Sequence, residues 1–89
     1  MRPSDILTQV AELVKQREDD HGAYGHNFDL IAALWSKYLD AHISARQVAT
    51  MMVLLKIARQ KTSPKTDDFD DAVGYAALAA ALFEREEGE

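Results

Sequence analysis

From Val48 to Ile57 every side chain is apolar except Thr50 and Lys56. Ser44 and Gln47, three residues apart just upstream, have the spacing of a capping box, so the segment is predicted to be a helix from Ala45 to about Lys61. A helix that is apolar on nearly every side belongs in the middle of a bundle or between subunits. The chain has 89 residues, and a chain of that size buries only about two-thirds of its unfolded surface. The sequence therefore predicts a homodimer or tetramer built around this helix.

Three further helices are expected on either side of it. The first, Ser4 to about Glu18, carries Ile6, Leu7, Val10, Leu13 and Val14 at helical spacing. Ser4 is its predicted N-cap, and Asp5 suits the positive end of its dipole. The second is predicted to be capped by Asn27 and to end near Asp40, with Phe28, Ile31, Leu34, Trp35, Tyr38 and Leu39 in a broad apolar stripe. Pro64 ends the third helix within 62–66. The fourth is predicted to be capped by Thr66, to hold Asp67 and Asp68 in its first turn, and to run to about Glu86. Gly74 lies inside it, where glycine costs about 1 kcal/mol against alanine, so another helix or a ligand is expected to come close there. The acidic end, Glu84 to Glu89, reads as a solvated, fraying terminus. No strand pattern and no internal repeat is present. The expected fold is all-α: one domain, 1–89, a four-helix bundle-like unit completed by homo-oligomerisation.

Composition narrows the function. Fifteen acids against ten bases give a net charge of −5, and no Lys/Arg stripe offers the basic face that a nucleic-acid backbone needs. With no cysteine there is no disulfide framework, thiolate nucleophile or Cys-based zinc site. The opening residues lack an apolar run of signal-peptide length, and no run approaches the ~20 apolar residues that span a bilayer. A cytoplasmic location without a membrane partner is expected.

Two groups of residues can carry chemistry. Asp68, Asp71 and Tyr75 fall at i, i+3 and i+7, and their row continues into Leu78 and Leu82, so the acids lie on the core-facing stripe. Buried carboxylates need partners, and Lys56 and Arg59, which share a face of the preceding helix, are the expected ones. The second group is the stretch from Arg17 to Asn27, where His21, Tyr24 and Asn27 supply polar contacts and Gly22 and Gly25 let backbone N–H groups approach a ligand. His21 and His26 are five apart, which is not the i, i+4 pair of a helical zinc motif. Trp35 serves either as core or as a surface for a stacked ligand.

Three stretches together carry a resemblance. They are Arg17…His21-Gly22…Asn27…Ile31-Ala32…Leu34-Trp35…Tyr38-Leu39, then 48–59 around Lys56, then 67–76 from Asp67 through Asp71 to Tyr75 and Ala76. This pattern resembles a family of small proteins encoded by tailed phages and prophages, over nearly the whole chain. More distantly, the third and fourth helices are similar to the MazG-type all-α nucleotide pyrophosphohydrolases. Those enzymes hold Mg²⁺ with a Glu-x-x-Glu pair on one helix and a Glu-x-x-Asp pair on the next. Asp68-x-x-Asp71 is similar to the second pair, whereas the place of the first pair is taken by Lys56-x-x-Arg59. Mg²⁺ requires hard anionic oxygens, and two cations in their place repel it. Lys56 and Arg59 are instead suited to neutralise phosphate directly.

The resemblance thus implies a phage-type protein that binds a nucleotide or related phosphorylated ligand in a helix-lined pocket. Arg17, His21, Tyr24, Asn27, Trp35, Lys56, Arg59, Asp68, Asp71 and Tyr75 are the candidate contacts, with no catalytic residue and no resident cofactor. Sequestering a host defence nucleotide signal in the host cytoplasm is one expected use. A second reading is a Mg²⁺-dependent pyrophosphohydrolase with a rearranged metal site drawn from Glu12, Glu18, Asp19, Asp68 or Asp71. A third is an oligomerisation module whose charges are internal salt bridges and which takes no ligand.

Overall fold

The computed structural model describes residues 1–21 and 25–88, and the side chains of 19–21 and 25–26 lie outside the described set. Four α-helices follow one another: α1 (Pro3–His21), α2 (Gly25–Leu39), α3 (Ala45–Gln60) and α4 (Thr66–Glu87). No strand occurs among the described residues. None of the helices is long and apolar enough to cross a membrane.

The α3–α4 hairpin forms the spine. Its α3 end is set locally by the expected capping box: Ser44 Oγ accepts from the Gln47 N–H at 3.1 Å, and the Gln47 side chain accepts from the Ser44 N–H at 2.8 Å. Just upstream, Ser36 Oγ accepts from the Ile43 N–H and donates to the Ile43 carbonyl, which ties the end of α2 to the approach to α3. α2 itself stops in a left-handed residue, Asp40 (φ 51°), and the Ala41 N–H bonds back to the Ser36 carbonyl. That six-to-one bond closes a helix C-terminus, and aspartate is one of the few residues that tolerate the left-handed position.

The other expected caps differ in detail. α1 begins at Pro3, and Asp5 reaches back to the Arg2 N–H at 3.0 Å, so Ser4 lies inside the first turn. Asn27 lies within α2. Thr66 is the first residue of α4, its N-cap position is Lys65, and Lys65 makes no side-chain capping bond. There Asp67 and Asp68 in the first turn offset the exposed N–H groups electrostatically. The C-terminal stretch is not a fraying end over 84–87. It stays helical, and Glu86 accepts from Arg46 at 3.0 Å, joining the end of α4 to the start of α3.

The core lies where α2, α3 and α4 meet. Ala32, Ala45, Val48, Ala49 and Leu82 are buried, with Phe28, Ile31, Trp35, Ile43, Leu78 and Ala79 packed around them. α3 buries only one side. Met51, Leu54, Leu55 and Ile57 are exposed in the single chain, so the chain does not enclose this helix on all sides. α1 lies against α4, with Val10 and Val14 beside Gly74. The close approach expected at Gly74 is therefore that of a helix.

The approach is not tight enough to demand glycine. A Cβ on Gly74 would stand 3.7 Å from Val14 Cγ2 and 3.9 Å from Val10 Cγ1, ordinary van der Waals distances. Gly74→Ala should then stabilise the fold by about 1 kcal/mol through helix propensity. In a chain of this length that raises the melting temperature by roughly 4–8 °C. Circular-dichroism melts check this, and a lowered midpoint would mean that α1 and α4 pack closer than described.

Candidate functional site

Where α3 ends and α4 begins, the expected charges come together. Lys56 and Arg59 lie one turn apart on α3, and Asp68 and Asp71 lie one turn apart on α4, so the antiparallel hairpin sets the pairs face to face. Lys56 Nζ stands 3.1 Å from Asp71 Oδ2 and 3.9 Å from Asp68 Oδ1. Arg59 Nε lies 3.4 Å from the same Asp68 oxygen. A third cation arrives from α1, with Arg17 Nη2 3.9 Å from Asp71 Oδ1.

Burial separates the members. The Lys56 and Asp68 side chains are 14% and 4% exposed, whereas those of Arg17 and Arg59 are 56% and 50% exposed. Lys56 is thus closed between two carboxylates, while the two arginines touch the knot by one edge and present the rest to solvent. Among the described residues, neither guanidinium donates a hydrogen bond. Among the described residues, three cations face two carboxylates. Asp68 Oδ2 is buried without a hydrogen-bond partner, a cost that the two cations at Oδ1 must offset.

Tyr75 lies one turn beyond Asp71 on the same face of α4, its ring meeting that of Phe28 edge-on with centroids 6.1 Å apart. Asn27 is exposed at the start of α2. Trp35 packs against the apolar cluster of Ala32, Val48 and Leu82 rather than among the charges. Tyr24 and the side chain of His21 lie outside the described residues. Of the ten candidate contacts, the structure brings together Arg17, Lys56, Arg59, Asp68 and Asp71, with Tyr75 alongside.

Two of the grooves on the described surface are broad. One of about 660 Å³ lies between α2, the start of α3 and the end of α4, lined by Ser36, His42, Arg46 and Arg85. Its arginines are engaged, Arg46 by Glu86 and Arg85 by a two-pronged contact with Asp29 at 2.8 and 3.1 Å. The other, about 600 Å³, lies between α1 and α4 and is lined by Gln9, Glu12, Asp67 and Asp70. Asp70 is buried and accepts from Gln9 at 2.9 Å, a link that no sequence pattern signals because it depends on where α1 crosses α4. Neither of these two grooves is lined by Lys56, Arg59 or Asp71. Among the described residues, no three His, Asp or Glu side chains are grouped to hold a metal ion.

Inner and outer members should respond differently to substitution. Asp71→Ala leaves Lys56 with only the more distant Asp68, and breaking a buried pair from one side costs about 3–5 kcal/mol. Arg17→Ala and Arg59→Ala remove half-exposed partners and should each cost about 0–1 kcal/mol. Urea unfolding of the three variants measures the difference, and equal losses would mean that all the charges are structural.

The family DUF6378, described as a domain of unknown function, matches residues 5–83, and the chain belongs to it. A "Gene 55 protein" of Mycobacterium phage D29 is 40% identical over 87 residues, covering 94% of this chain and 58% of that protein. A "Gene 55 protein" of Mycobacterium phage L5 is 38% identical over 76 residues, covering 82% of this chain and 49% of that protein. The chain thus spans about half the length of these phage relatives. No solved structure matches it.

Proposed function

We propose that this DUF6378 chain is a small binding protein that takes a phosphorylated ligand of the nucleotide class on the outer edge of the charged knot. The observation that carries the reading is the state of Arg17 and Arg59. Both are half-exposed, come from different helices, are anchored on the two carboxylates that flank Lys56, and have guanidinium donors to spare. A planar guanidinium matches the oxygens of a phosphate in a two-pronged fork, and two of them suit a diphosphate or a bridged phosphate. Lys56 contributes charge from behind without leaving its carboxylates. Tyr75 on α4, which meets Phe28 of α2 edge-on, is the aromatic ring next along from the knot and the one a flat base would lie against.

Binding without turnover fits these residues better than hydrolysis. Asp68 and Asp71, the carboxylates that a Mg²⁺ site would need, are already neutralised by Lys56, Arg59 and Arg17. A binder of this kind in a phage setting would act by withholding its ligand, a nucleotide signal of the host, from the protein that reads it.

One observation favours a purely structural role: every cation of the knot has a carboxylate within 4 Å. The two readings part on ligand response. Nucleoside mono-, di- and triphosphates, cyclic dinucleotides and inorganic pyrophosphate are screened for a rise in melting temperature, alongside native mass spectrometry of the purified protein. At least one should stabilise the wild type. Arg17→Ala and Arg59→Ala should weaken it by about ten- to a hundredfold, the loss of a charge-assisted bond worth roughly 1.5–3 kcal/mol, with little change in the unliganded melt. If no phosphorylated compound stabilises the protein and none is retained, the structural reading stands instead. Mg²⁺-dependent release of pyrophosphate from a nucleoside triphosphate, lost in Asp71→Asn, would replace binding by hydrolysis.

A further inference from the structure

The outward side of α3 carries a feature that ligand binding does not use. Met51, Leu54, Leu55 and Ala58 fall at i, i+3, i+4 and i+7, and therefore on one face. That face lies away from the one on which Val48 and Ala49 are buried. All four residues are exposed, Met51 at 40%, Leu54 at 59% and Leu55 at 49%. Isolated exposed leucines are common on protein surfaces, but a contiguous apolar row in the middle of a helix marks an interface.

The size of the exposed surface is compatible with a second copy as its cover. The chain exposes 6601 Å², whereas a compact monomer of its 9.9 kDa mass exposes about 5,200 Å². Its radius of gyration is 13.9 Å, against about 12 Å for a compact chain of this length. The surplus, about 1,400 Å², exceeds the roughly 800 Å² that each partner buries in a stable interface of standard size. A surplus of that size leaves room for one side of such an interface. The commonest homo-oligomer is a two-fold dimer, in which the same patch meets itself, and a row of aliphatic side chains without charge is self-complementary.

We propose that the Met51–Leu54–Leu55–Ala58 face of α3 is the seam of a homodimer, packed against the same face of a second copy of this chain. α2 exposes another apolar row, Leu30 and Leu34, which serves as the control. Sedimentation equilibrium at micromolar concentration should give twice the 9.9 kDa chain mass for the wild type. The double variant Leu54→Glu, Leu55→Glu should shift to the monomer mass, or raise the dimer dissociation constant at least a hundredfold. Leu30→Glu, Leu34→Glu should stay dimeric. If the α3 variant fails to fold, the wild type decides alone: a dimer's melting temperature rises with protein concentration over a hundredfold range, and a monomer's does not. A wild type that is monomeric at 100 µM, or whose melt is independent of concentration, overturns the proposal. So does a dimer that survives the α3 substitutions and dissociates with those in α2.

Discussion

Asp68 and Asp71 can lie on the inward stripe of α4 only because Lys56 meets them across the α3–α4 hairpin. An unpaired carboxylate there would cost several kcal/mol, a large fraction of the 5–15 kcal/mol by which a small domain is stable. The pairing therefore fixes how α3 and α4 align, and the alignment is confirmed at the far end of the hairpin, where Arg46 meets Glu86. With the two helices locked at both ends, Leu78, Ala79 and Leu82 come opposite Val48 and Ala49, and α2 closes the core from the side. The same ion group reaches the remaining helix through Arg17, so one knot of charge touches three of the four helices.

This dependence explains which features are legible in the amino-acid sequence. Asp68-x-x-Asp71-x-x-x-Tyr75 running into Leu78 and Leu82 shows its buried face through spacing alone, and burial of carboxylates implies cations one short connection away. The Ser44–Gln47 box is equally legible, because both of its bonds lie within three residues. Contacts fixed by how helices cross are not legible. Arg17 stands out for its neighbours in the 17–27 stretch, yet its partner Asp71 is set by the packing of α1 on α4. The Gln9–Asp70 bond has the same origin, and no local pattern announces it. Gly74 suggests a close neighbour, and only the fold shows that Val10 and Val14 stand at ordinary contact distance from a Cβ there. Of the caps expected, Thr66 is the first residue of α4, and Ser4 and Asn27 lie one and two residues inside α1 and α2, because helix starts shift by a residue or two with little change in energy.

α3 thus carries opposite demands along its length and around its circumference. One face supplies core, then Lys56; the other is apolar and uncovered; and Arg59 stands near the end of the helix, where the knot opens to solvent. The all-round apolar pattern from Val48 to Ile57 is explained only in part by the fold of one chain. The uncovered remainder is the face proposed above to meet a second copy.

Leu55 and Arg59 are one helical turn apart, which places the proposed seam beside the proposed ligand edge. An arginine half-exposed to water holds phosphate weakly, because solvent screens the interaction; covering the neighbouring leucine lowers the local dielectric and strengthens it. If both proposals hold, binding and self-association are therefore linked: the dimer binds phosphate more tightly, and by reciprocity the ligand tightens the dimer by the same factor. The half-exposure of Arg17 and Arg59 fits that linkage, since a second chain would supply cover that the first does not give them.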